Sequence, residues 1–419
     1  MRGCNAPISA PADTSRRRIR IMAIKRRDLM AATAAALALP ALRNPALAAA
    51  DELVIGFSHV ATGPLQSLLI TNKVPMEMAL ADINAAGGVN GKKLRVSTFD
   101  TAGDPRQAQV AVRRFAEDEG ALCILGPASS GECRVAFPAG ERLGIVQCSN
   151  SATAPGITDK MTFAFRDTSD ELTQFRRLLK VMKAKGMAAG SASIIYATDE
   201  FISKTLGESV FPQAFKEAGI PVAKAVGFPI QAFDVSAQVG ELMRNPTDIV
   251  ALGGTIEPAV KVLKELRRQG HKGRMIGSGV MSDPTLPDKV GADGEGVLYP
   301  SFFYSGLNDR TRAFTARFAE GTKQAGLPRT SPHHTDAATY DIVQIYAEAM
   351  RRAQVTGEPG KLKAERIAIR DQMQKMESWN WEGVLGRTWF YPDGAARLPA
   401  HVIEVRDGKL QLLDSLYEG

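Results

Sequence analysis

Six short stretches hold most of the residues that can do polar chemistry: "SHVATGPLQSLL", "GPASSGE", "SNSATAPG", "ATDEFISK", "GGTIEP" and "GSGVMSDP". They are rich in Ser, Thr, Gly and Ala, and each follows a short apolar run. Ser129, Ser130 and Gly131 precede "ECRVAF", while Ala152 and Thr153 follow "LGIVQC". Backbone N–H groups at a helix start, with hydroxyls beside them, hold an anion such as a carboxylate without a counter-charge. Small side chains let that anion approach the backbone. Ordinary turn and capping residues are the rival reading of the same stretches.

Catalytic chemistry has little to stand on. "GPASSG" lacks the Gly-x-Ser-x-Gly spacing of a nucleophile elbow. There is no Gly-x4-Gly-Lys-Ser/Thr phosphate loop and no His-Glu-x-x-His. The histidines are His59, His271, His333, His334 and His401. His333 and His334 are adjacent, so their side chains are expected to point in different directions, which argues against joint chelation and for surface or supporting polar roles. Cys123, Cys133 and Cys148 have no metal-like spacing, and Cys123 and Cys148 sit in apolar runs as buried thiols do. No metal and no cofactor is expected.

The elements that must position these loops alternate. "ELVIGFS", "KKLRVSTFD", "ALCILGP" and "IVQCSN" read as strands. Between them "VPMEMALADINAAGG", "DPRQAQVAVRRFAEDEG" and "GECRVAFPAGERLG" read as helices, the second with Asp104 as N-cap and Pro105 at its first position. The rhythm restarts after residue 170 with "DELTQFRRLLKVMKAKG", "SASIIYAT", "GESVFPQAFKEAG", "AVGFPI", "SAQVGELMRN", "DIVALGG", "EPAVKVLKELRRQG" and "RMIGSG". Two long helices follow, "DRTRAFTARFAEGTKQAG" and "TDAATYDIVQIYAEAMRRAQ", and the tail reads as strands around Pro392-Asp393-Gly394 and Asp407-Gly408 turns. This is an α/β chain of two doubly wound parallel-sheet lobes with a ligand cleft between them. In such sheets ligands lie beyond the carboxyl ends of the strands, where all six stretches fall.

The 419 residues fit two lobes, and 44% hydrophobic with 23% charged residues is an ordinary globular composition. The net charge of +7 is local: Arg2, Arg16, Arg17, Arg18, Arg20, Lys25, Arg26 and Arg27 face Asp13 alone within residues 1–27. The rest is near neutral, so no nucleic-acid partner is implied. Residues 1–50 read as an export signal. Arg26-Arg27 resembles a twin-arginine start, an Ala/Leu run follows, and an Ala-x-Ala end lies near Ala48–Ala50. Met22 is an alternative start to Met1. The run, broken by Pro40, Arg43 and Pro45, is too short to span a bilayer.

Several segments carry a resemblance: "GPL" (63–65), "ALADINAAGGVNGKKL" (79–94), "DTAGDPRQA" (100–108), "LGPASSG" (125–131), "SNSATAPGIT" (149–158) and the late "GVLGRTWFYPDG". From residue 51 onward the chain resembles periplasmic solute-binding proteins of the branched-chain amino acid and amide type, which serve ABC importers. The resemblance implies type I lobes joined by three crossings and shut by hinge motion. On the sequence they divide into 51–168 plus 301–389 and 169–300 plus 390–419. It also implies a periplasmic, non-enzymatic monomer that hands a small solute to a membrane permease. Ser129 and Ser130 would meet the solute carboxylate, with Ala152 and Thr153 giving backbone and hydroxyl contacts. Leu68, Phe201, Thr255 and Gly279 stand where relatives hold the rest of the solute.

The departures are informative. Relatives that bind α-amino acids hold the ammonium with an aromatic hydroxyl and a second-lobe acid. Here the matching positions are Phe201, Thr255 or Ile256, and Gly279: Phe201 has no hydroxyl, the acid is missing, and Leu68 stands where an aromatic is common. Asp199, Glu200, Glu257 and Asp283 remain as acids that can compensate. Gly103 and Ser129 fill the places of the relatives' first-lobe disulfide. An unpaired buried ammonium is costly, so the expected guest is a small organic carboxylate with an apolar or aromatic body. An amide, urea or branched-chain amino acid guest, and a ligand-sensing receptor of the same fold, are the alternatives.

Overall fold

The computed structural model describes residues 52–187 and 189–417. The export segment expected over 1–50 lies outside the described residues.

Strands β1 (Glu52–His59), β2 (Lys93–Asp100), β3 (Cys123–Leu125), β4 (Val146–Ser149) and β5 (Ala164–Arg166) form a parallel sheet in the order β2-β1-β3-β4-β5. The intervening helices are α1 (Gln66–Leu69), α2 (Lys73–Ala85), α3 (Pro105–Arg113) and α4 (Ser130–Leu143). Both faces of the sheet are covered. Leu53, Ile55 and Phe57 pack with Met76, Ala79 and Ile83 of α2 on one side, while Ile124 joins Ala108, Val112 and Ala136 of α3 and α4 on the other. The expected cap of α3 is present: Asp104 Oδ1 accepts the N–H groups of Arg106 at 2.7 Å and Gln107 at 3.0 Å. After α2 the chain turns at Gly88 (φ 77°), where a Cβ would stand 2.0 Å from the Lys92 carbonyl oxygen, so only glycine fits.

The second lobe contains α5 (Glu171–Ala184), β6 (Ala192–Ala197), α6 (Phe201–Thr205), α7 (Phe211–Glu217), β7 (Val222–Phe228), α8 (Ser236–Met243), β8 (Ile249–Gly253), α9 (Ile256–Arg268), β9 (Arg274–Gly277), α10 (Leu286–Val290) and β10 (Leu298–Ser301). The chain then returns to the first lobe. There α11 (Asp309–Gln324), α12 (His334–Arg352) and α13 (Leu362–Gln374) pack on the core around β1, followed by the short ladder β11 (Glu382–Gly383) and β12 (Gly386–Arg387). The last strands, β13 (Ala400–Arg406) and β14 (Lys409–Leu416), go back to the second sheet, whose order is β14-β13-β10-β9-β8-β6-β7.

That sheet is parallel from β10 to β7 and mixed at its other edge. The β13–β14 hairpin runs antiparallel at its edge, and β13 pairs antiparallel with β10. A two-residue Asp407-Gly408 turn permits only an antiparallel return. Strands β5 and β10 and helix α13 are elements that the sequence pattern did not single out. The two strands have three and four residues, too few to show a period. The chain crosses between lobes after β5, after β10 and before β13. The first and last crossings pair, with the Arg166 N–H on Gly394 O at 2.9 Å and the Ala396 N–H on Arg166 O at 3.0 Å. Among the described residues no helix is long and apolar enough to cross a membrane.

Candidate functional site

Strands β3 and β4 are hydrogen-bonded neighbours, so their end loops meet. Ser129 is the N-cap of α4, and its hydroxyl accepts the Glu132 N–H at 3.2 Å and donates to Glu132 Oε2 at 2.7 Å. Glu132 in turn accepts the Ser129 N–H at 2.9 Å, which closes a capping box. Burial raises the pKa of Glu132 above the usual carboxylate value.

Ser130 is placed differently. Its Oγ accepts the N–H groups of Thr153 and Ala154, each at 3.2 Å, and so ties the two loops together. With both lone pairs taken, its own proton remains to be donated. The Ala152 N–H goes to Ser149 Oγ at 3.0 Å and its carbonyl accepts from the Thr168 hydroxyl at 2.5 Å. Ala152 therefore shapes the loop from behind.

Ser129, Ser130, Ser151 and Thr153 line a cavity of about 30 Å³ together with Leu65, Leu68 and Leu69. Glu200, Ile202, Thr255 and Val280 close it from the second lobe. Thr255 also lines a separate 260 Å³ opening, between Gly63, Pro64, Gln66 and Ser67 on one side and Ile230, Glu257 and Lys261 on the other. Small-molecule sites are typically some hundreds of Å³. The inner cavity is far smaller than that.

The structure thus brings Ser129, Ser130, Thr153, Leu68 and Thr255 together around one cavity. It does not place Phe201 there: the Arg134 guanidinium lies over its ring, 4.7 Å from the centroid, and the neighbouring Ile202 takes the wall position. Gly279 adjoins Val280 on the wall, and a Cβ on it would make only ordinary contacts, 3.5 Å from Pro300 O and 3.6 Å from Glu171 Oε1.

The four acids considered as compensating are engaged elsewhere. Glu200 caps α6 through the Ile202 and Ser203 N–H groups at 3.0 and 2.8 Å. Asp199 accepts the Ile230 N–H at 2.6 Å, and Lys289 lies 3.5 Å from Glu257 and 3.8 Å from Asp283.

One residue escaped the sequence reading. Glu171 opens α5 and is fully buried, with its N–H on Thr153 O at 2.9 Å. Neither carboxyl oxygen has a partner in good hydrogen-bond geometry, although the Thr153 hydroxyl and the Gly279 N–H come near enough to favour its charged form. Burial outweighs them and pushes the carboxyl up to about 7. The signal was available: Glu171 lies one turn before Phe175 and two before Leu178, on the apolar stripe of α5.

The histidine expectation is corrected. His333 and His334 are buried rather than at the surface, and both rings meet the Ser282 hydroxyl, with Nε2 of His333 and Nδ1 of His334 each 2.9 Å from it. His333 caps α12 from an extended backbone while His334 is its first helical residue, which swings the two rings together. Burial lowers His334 to about 3. Among the described residues no group of three or more His, Cys, Asp or Glu side chains is placed to hold a metal, and the three cysteines are free and buried.

Residues 52–409 match the family model described as periplasmic binding protein. The chain belongs to the periplasmic binding protein family. Within it, this is a solute-binding protein of the kind serving ABC importers. It is 27% identical over 257 residues to the Leu/Ile/Val/Thr-binding protein of Salmonella typhimurium, covering 60% of this chain and 68% of that one. It is 27% identical over 311 residues to the leucine-specific-binding protein of the same organism, covering 73% and 80%. Among solved structures, an ABC-transporter solute-binding protein from R. palustris in complex with 4-hydroxybenzoate superposes with a TM-score of 0.74 at 19% identity, covering 88% and 98% of the two chains. An isoleucine complex from Streptococcus pneumoniae gives 0.74 at 20% identity, covering 87% and 98%. At these identities the two structures establish the shared fold.

Proposed function

We propose that this protein is exported to the periplasm by its first 50 residues and acts there as a monomer, closing on a small organic carboxylate with an apolar or aromatic body. The moving bodies are 51–168 plus 301–389 and 169–300 plus 390–419. The closed form then docks on a membrane permease. The supporting observation is Ser130: its acceptor positions are filled by Thr153 and Ala154, so its free proton faces the inter-lobe cavity beside Thr153. No Lys or Arg lines that inner cavity, and the carboxylate is held by neutral donors at the start of α4. Leu65, Leu68, Leu69, Ile202 and Val280 supply apolar walls for the body. A carboxylate is also the group common to the leucine, isoleucine, benzoate and 4-hydroxybenzoate named with the similar proteins.

Titration calorimetry of the full chain against benzoate, 4-hydroxybenzoate, leucine and valine tests the reading. Binding of an aromatic acid is expected. Tight leucine or valine binding with aromatic acids inert would overturn the choice of guest. In the double variant Ser130→Ala, Thr153→Val, binding should weaken by roughly 1–3 kcal/mol per lost buried hydrogen bond. Unchanged affinity in that variant would remove the carboxylate grip itself.

A further inference from the structure

Glu171 has no role in the capping, pairing or metal chemistry of the fold, yet a fully buried carboxyl without a good partner is costly to keep. Its backbone is fixed one hydrogen bond from the loop proposed to hold the guest, through its N–H on Thr153 O at 2.9 Å. Its side chain stays by its own lobe's part of the cavity wall, since Oε1 lies 3.6 Å from where a Cβ on Gly279 would stand. Thr153, and Val280 next to Gly279, both line the cavity, and Glu171 lies directly behind them. Asp199, Glu200, Glu257 and Asp283 already accept backbone N–H groups or lie near Lys289.

We infer that Glu171 is a specificity-determining second anchor: a neutral carboxyl that donates its proton to the anionic head of a guest held at Ser130 and Thr153. This rests on the carboxylate reading above. The charged groups facing Glu171 are Asp170, beside it at the start of α5, and Arg166 on β5. Asp170 disfavours ionisation of Glu171, while Arg166 favours it only weakly and already donates from Nη1 to Ala154 O at 2.7 Å. With burial these effects hold the carboxyl at about 7, so the proton stays on below neutrality. An incoming carboxylate strengthens that preference, because two carboxylates in contact cannot both stay ionised. The product is one charge-assisted O–H···O⁻ hydrogen bond, with no proton released. An ammonium-bearing guest would instead require the ionised form.

The test compares wild type, Glu171→Gln and Glu171→Ala by calorimetry with benzoate, 4-hydroxybenzoate and leucine at about pH 5.5 and about pH 8.5. Wild-type affinity for the aromatic acid, whose own carboxylate stays ionised throughout, should fall by up to about tenfold per unit above neutrality. The glutamine variant, whose amide still donates, should keep its affinity at both values. The alanine variant should bind at least about tenfold more weakly at both, as a lost charge-assisted bond implies. A packing role alone would give no such pH profile and no rescue by glutamine. Leucine binding that strengthens with pH and is lost in Glu171→Gln would overturn the inference in favour of an ionised acid holding an ammonium. Aromatic-acid binding that ignores pH and survives Glu171→Ala would overturn it while leaving the carboxylate reading intact. Failure of every carboxylate to bind wild type would remove both.

Discussion

Two adjacent serines do different work. Ser129 spends its hydroxyl on Glu132 in the capping box of α4, whereas Ser130 bridges to the next loop and keeps a proton for the cavity. Ser129→Ala should therefore cost about 1 kcal/mol of stability, the usual value of a lost N-cap, with little change in solute affinity. Denaturant titration and calorimetry on the same preparation check this. A large affinity loss with unchanged stability would mean that the two roles are exchanged. The Ser129-x-x-Glu132 spacing of a capping box is legible in the sequence, but only the position of β4 decides that the Ser130 hydroxyl meets the Thr153 loop.

At the scale of elements, α12 is fastened to the first lobe by one buried ion pair. Arg329 Nη1 donates to Asp336 Oδ2 at 2.6 Å, and the His333 N–H reaches the same oxygen at 2.8 Å. Thr71 and Asn72 donate to Oδ1 at 2.8 Å each. Arg329 also donates to Leu68 O at 3.1 Å, which links the helix to the cavity wall. Asp336→Ala leaves the guanidinium buried without its carboxylate and should cost roughly 3–5 kcal/mol, read as a lowered denaturation midpoint. A loss below about 1 kcal/mol, the range of exposed pairs, would show that water replaces the partner.

Across the whole molecule, buried titrating groups oppose one another. Glu171 and Asp341 are each raised to about 7 by burial. Their contribution is fully present below the ordinary carboxylate values and is lost as pH rises towards 7, because the unfolded chain releases those protons earlier. His334 and His401 are lowered by burial to about 3 and about 4. Their contribution is present above the ordinary imidazole value and is lost as pH falls through the acid range. Glu171→Gln should remove a decline of up to roughly 3 kcal/mol between pH 4.5 and 7. Stability measured against pH for both proteins checks it, and parallel curves would contradict the raised carboxyl.

The sequence by itself determined the alternation of strands and helices, the Asp104 cap and the neighbouring strand-end loops, because hydrophobic period and capping chemistry are local. It also held the family's motifs from residue 51 onward. Only the tertiary structure decided that β13 and β14 close the second sheet antiparallel, that Phe201 lies under Arg134 away from the cavity, and that His333 and His334 share Ser282. Glu171 was half legible: its spacing to Phe175 and Leu178 puts it on the apolar stripe of α5, but only the packing against Thr153 and Gly279 leaves its carboxyl fully buried without a good partner. Burial and partner geometry depend on segments far apart in the chain, and no local pattern encodes them.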